Sequence, residues 1–91
     1  MIVDISDYGD RDAKKFIEYS VSGLSERQLD YLKANLNEDM VVRDDVLVLT
    51  MHFSEELYPF QSDVAKVRLE DFIAREEIEM NVFLSSFLED M

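Results

Sequence analysis

Between Val46 and Phe53 the chain alternates without a break, with Leu47, Leu49, Met51 and Phe53 on one side and Val46, Val48, Thr50 and His52 on the other. A period of two marks a half-buried strand. Such a strand needs neighbours in a sheet and a layer to cover its apolar side. Met40 to Arg43 is the first neighbour, joined to the start of the alternating run by a tight turn at Asp44-Asp45. Met1 to Ile5, short and β-branched, is another strand.

The covering layer is sought in the helical patterns. Between Arg11 and Ser22, Ala13, Phe16, Ile17 and Val21 recur at spacings of three and four, which predicts a helix with Asp10 as its N-cap, after a turn at Asp7-Tyr8-Gly9-Asp10, and Gly23 as its stop. Ser25-Glu26-Arg27-Gln28 has the form of a capping box and opens a second helix, with Leu29, Leu32 and Leu36 inward. Ser54 to Ser62, with Pro59, reads as an irregular loop. Residues 63–69 admit two readings: a return strand with Ala65, Val67 and Leu69 on one side, or a helix beginning at Asp63. From Asp71 onward Ile73, Met80, Leu84, Phe87 and Met91 form a helical stripe, widened by Phe72, Val82, Phe83 and Leu88. The expected fold is α+β: a single acidic domain over residues 1–91, a short antiparallel sheet packed with about three helices, the last one long. Apolar side chains on that last helix exceed what one small core needs, so Phe83, Leu84, Phe87 and Leu88 are candidates for a homodimer interface.

Composition narrows the function classes. The net charge is -12, from 21 acidic and 9 basic residues spread along the whole length. With 47% hydrophobic residues the chain is no disordered acidic tail. It has no cysteine, hence no disulfide framework and no thiolate metal site, which suits a reducing cytoplasm. The opening residues lack the pattern of a signal peptide, and no apolar run reaches the roughly 18 residues of a membrane span.

Catalytic constellations are not apparent. His52 is the one histidine, on the less apolar side of a strand, with no matched nucleophile and orienter. Asp4, Asp7, Asp10 and Asp12 superficially resemble a calcium loop, but the twelfth position, which needs a bidentate glutamate, is Lys15. The expectation is a protein that is not an enzyme and uses no cofactor or metal.

The acidic residues carry more information as a set. They recur as neighbours: Glu38 and Asp39, Asp44 and Asp45, Glu55 and Glu56, Glu70 and Asp71, Glu76 and Glu77 with Glu79 on the outer side of the last helix, and Glu89 with Asp90. All but the last pair are candidates for imitating phosphates. Duplex DNA carries one charge per about 1.7 Å of axis and an α-helix rises about 1.5 Å per residue, so carboxylates every few residues on adjacent elements approximate the pattern that a DNA-binding groove reads. A mimic need copy only charge and shape, because phosphate contacts position a duplex without reading its sequence. Such a surface repels nucleic acid and anionic membrane and favours basic proteins.

The opening Met-Ile-Val-Asp-Ile-Ser-Asp-Tyr-Gly-Asp, the size, the acidity and the absence of cysteine resemble the small anti-restriction nuclease proteins of T4-like bacteriophages. The resemblance implies a homodimeric DNA mimic that occupies the DNA-binding surface of host proteins, namely a modification-dependent restriction endonuclease and a histone-like nucleoid protein, in the bacterial cytoplasm. It implies no catalytic or cofactor residues. An acidic adaptor or antitoxin-like module that docks its last helix in a partner's groove is the competing expectation.

Overall fold

The computed structural model describes residues 1–11, 14–53 and 66–91, for Arg11 and residues 66–70 the backbone alone. The elements run β1 (Ile2–Arg11), β2 (Lys14–Ser22), α1 (Glu26–Asn35), β3 (Asp39–Arg43), β4 (Val46–Phe53) and α2 (Lys66–Glu89). The strands form one sheet in the order β1-β2-β4-β3, every neighbouring pair antiparallel. The described residues therefore hold four strands and two helices, where about three helices were expected.

The missing helix is β2. Ile17, Tyr19 and Val21 are buried on one face of the sheet at strand spacing, while Phe16 is buried from the opposite face. Two adjacent apolar residues on opposite faces imitate helical spacing in a linear reading. The turn expected at Asp7 to Asp10 is also strand, with a register shift between Ile5 and Asp7 and with Gly9 opposite Phe16. Gly9 has φ +144, and the Phe16 ring lies 3.9 Å from where its side chain would begin. The ring covers backbone that glycine leaves bare, an arrangement that supports a glycine within a strand. Asp10 consequently caps no helix; it pairs with Lys15 across the hairpin at 2.7 Å. Gly23, φ +78, ends β2 and turns the chain toward α1.

β4 covers Val46 to Phe53, and its pairing with β3 runs from Arg43 opposite Val46 to Asp39 opposite Thr50. The turn residues Asp44 and Asp45 both have positive φ, 50 and 64, as a two-residue type I′ turn requires. α1 starts with the full capping box: the Gln28 amide donates to the Ser25 hydroxyl at 3.1 Å and the Ser25 amide to the Gln28 side chain at 2.8 Å. In α2 the backbone is helical from Lys66, which removes the strand reading of residues 63–69 over 66–69; residues 63–65, with the helix start at Asp63, lie outside the described residues. The loop expected at Ser54 to Ser62 lies outside the described residues.

Both helices contribute to one core on one face of the sheet. Val3, Ile17, Tyr19, Val21, Leu47 and Leu49 meet Leu29 and Leu32 of α1 and Met80 and Leu84 of α2. On the opposite face lie Asp39, Val41 and Arg43 of β3, and Val48, Thr50 and His52 of β4.

Candidate functional site

Three carboxylates, two from α1 and one from the turn after β3, line a groove between α1 and β3. Glu26 and Asp30, one helical turn apart, project from the same side of α1. Asp45 comes from the turn between β3 and β4. Leu29 and Val42 supply the apolar lining and Lys33 the one cation, around a volume of about 330 Å³. The capping box and the burial of Leu29 and Leu32 hold α1, while the turn's backbone conformation holds Asp45. No ion pair joins Lys33 to these carboxylates among the described residues. A groove of this composition suits a long basic side chain, whose methylene stem lies on apolar surface while its head meets carboxylates.

The acidic residues singled out from the sequence fall into three groups. Glu38, Asp39, Asp44, Asp45, Asp71 and Glu79 are exposed. Glu55, Glu56 and the Glu70 side chain lie outside the described residues. Glu76 and Glu77 are half-buried, not on the outer side of the last helix where the pattern put them. Glu77 accepts a hydrogen bond at 2.7 Å from the Ile5 amide on β1. Burial pushes the Glu76 carboxyl above its ordinary range; Glu79 adds to this through its charge and a hydrogen bond, and Arg75 opposes it. The buried Tyr19 phenol is pushed well up, by desolvation first and then by Glu76, Glu79 and Glu77. Sequence reasoning passed over Glu26 and Asp30, whose signal was their four-residue spacing on the side of α1 facing the edge of the sheet.

The dimer candidates also divide. Leu84 is fully buried in the core of its own chain, and Phe87 and Leu88 pack against that core. Phe83 is 46% exposed, and Ile78 and Val82 are more exposed still, at 64% and 60%. Ile78 and Val82 border a shallow groove of about 480 Å³ with Val3, Ala74, Glu77 and Asn81. His52 is an exposed strand residue whose Nε2 lies 3.8 Å from the Asp39 carboxylate. Asp4, Asp7 and Asp10 lie along β1, and among the described residues no three His, Cys, Asp or Glu side chains converge as a metal site. Among those residues, too, no helix is long and apolar enough to cross a membrane.

A protein-family model described as a family of unknown function (DUF5750) matches residues 2–90. The chain belongs to the DUF5750 family. The match brings no activity with it and makes no link to the phage anti-restriction proteins. No curated protein matches the chain.

Proposed function

We propose that this DUF5750 chain is a non-catalytic binding module of the cytoplasm, whose acidic surface occupies the nucleic-acid-binding site of a basic protein by imitating the charge of DNA. One observation carries the reading: exposed carboxylates project from β1, α1, β3, the turn after β3, and α2, and three of them line a groove with an apolar wall. Asp4, Asp7 and Asp10 lie on β1, Glu26 and Asp30 on α1, Asp39 on β3, Asp44 and Asp45 at the turn, and Asp71, Glu79 and Glu89 on α2. From Asp39 to Asp44 the chain advances five residues, so the pairs at the two ends of β3 stand about 17 Å apart. A surface of this kind attracts and orients basic partners.

The test is displacement of a DNA duplex from a sequence-nonspecific DNA-binding protein, measured over a range of salt. Reversal of Glu26, Asp30 and Asp45 to lysine is expected to weaken displacement about tenfold or more, and reversal of Asp71, Glu89 and Asp90 much less. Equal losses would mean diffuse attraction without a shaped site. Failure of the wild-type chain to displace DNA from any such protein at low salt would remove the proposal.

A second reading has its own observation. Ile78 and Val82, one helical turn apart, stand exposed on α2, and Phe83 is exposed on the adjoining side, apolar surface of the kind a helix docking in a partner's groove uses. Binding that survives high salt but is lost on truncating these three side chains would select it.

A further inference from the structure

The two edges of the sheet are finished differently. A two-residue turn closes β3 and β4, which makes Arg43 and Val46 a hydrogen-bonded pair. By the antiparallel alternation, the N–H and C=O groups of Val42 and Met40 then point away from β4. The same alternation, carried through Leu49 opposite Tyr19 and Tyr19 opposite Ile5, turns the Ile5 amide outward at the far edge. The structure bears out this phase, because that amide donates to Glu77 from outside the sheet. At the β1 edge, then, α2 supplies a group that takes the outward amide of Ile5, and it covers Val3, whose backbone has the same phase and no described partner. At the β3 edge no described group takes those of Met40 and Val42.

We propose that the β3 edge is a strand-addition site for an extended basic segment of a partner protein. An incoming strand gains backbone hydrogen bonds from Met40 and Val42. Its side chain beside Val42, on the face that carries the helices, enters the groove between α1 and β3 and meets Glu26, Asp30 and Asp45. Val41 and Val42, 47% and 36% exposed, offer apolar contact on the two faces.

Charge decides the occupant. Around this edge stand Glu26, Asp30, Glu38, Asp39, Asp44 and Asp45, against Lys33 and Arg43. A basic strand meets that excess favourably, whereas a second copy of the chain brings the same excess with it. Self-pairing about Val41 does set Asp39 opposite Arg43 of the other copy, which makes the second copy the rival to be tested.

The site rests on the proposed preference for basic partners, and the experiment separates the two. The probe is a short capped peptide of alternating valine and arginine, followed by amide hydrogen exchange and by NMR titration of the full chain. Exchange at Met40 and Val42 is expected to slow about tenfold or more with peptide, and the effect to weaken as salt is raised. Val42→Pro removes an outward N–H without removing a bond to β4 and is expected to abolish binding. Because that variant could perturb the hairpin, the double reversal Glu26→Lys with Asp30→Lys is measured too; it should shift preference from the valine–arginine peptide to a valine–glutamate one. Peptide that binds elsewhere, leaving Met40 and Val42 unprotected, overturns the β3 site while sparing the preference for basic partners. No binding at low salt overturns both. Protection of Met40 and Val42 that rises with protein concentration in the absence of peptide assigns the edge to a second copy and overturns the proposal.

Discussion

The Glu77 carboxylate stands 2.7 Å from the Ile5 amide, across 72 residues of sequence. It fastens α2 to the edge strand β1 and satisfies an N–H that the sheet leaves pointing outward. Replacing Glu77 by alanine is expected to cost about 1.5–3 kcal/mol, the range for a hydrogen bond to a charged group. Urea denaturation measures the loss, and amide exchange at Ile5 should accelerate in the same variant. An unchanged midpoint together with unchanged Ile5 exchange would show that the contact does not hold α2 to β1.

The pH dependence follows from two groups. Glu76 has its folded value raised, so its stabilising contribution is complete below the unfolded value of 4.5 and is lost as pH rises through the raised folded value. Thermal stability is therefore expected to increase as pH falls through that raised value toward 4.5, and Glu76→Gln should flatten the dependence. Tyr19 is raised as well, so its contribution persists up to the unfolded tyrosine value near 10 and declines above it. Tyr19→Phe should remove that alkaline loss, whatever it does to stability at neutral pH. Melting curves across the pH range check both signs.

The turn between β3 and β4 is built from residues poorly suited to it. Asp44 and Asp45 both hold positive φ, where Asn-Gly is preferred. Asp44→Asn with Asp45→Gly is expected to raise stability by about 0.5–1 kcal/mol. The same double substitution removes one wall of the acidic groove, so displacement of DNA should weaken while the melting temperature rises. A variant that gains stability and binds as before would exclude Asp45 from the site.

Rotation of α2 about its axis is tested by two truncations. Leu84 is fully buried and Val82 is 60% exposed. Leu84→Ala should cost about 2–5 kcal/mol by opening a cavity, and Val82→Ala should stay within about 0.5 kcal/mol. Chemical denaturation of the two variants decides whether this face of the helix is the one that packs.

Wherever a single local rule governed, the elements were readable from sequence. β4 has one buried face and so shows a clean alternation, the capping box of α1 needs only four consecutive residues, and the pairing of Met40 to Arg43 followed from the turn beside it. β2 was not readable, because Phe16 is buried from one face and Ile17 from the other. The strand reading of residues 66–69 rested on a short alternation next to a longer helical pattern, and the longer pattern prevailed. The acidic groove was half legible. Asp45 belonged to a visible pair, but its meeting with Glu26 and Asp30 depends on how α1 packs over β3, which no local spacing encodes. Glu77 read as outward charge because a carboxylate that satisfies an edge amide has no sequence signature.

The strand order β1-β2-β4-β3 makes each outer pair a local hairpin and leaves β2 against β4 as the sheet pairing that spans α1. Hairpins close in microseconds, while a pairing between distant segments waits on chain diffusion and loop closure. Within the sheet, the slow closure is therefore that of one seam. Tyr19 and Leu49 face each other across it, so substitutions there change how fast the chain reaches its native state. Substitutions at Asp44 and Asp45 change how often one hairpin is ready when the two halves meet.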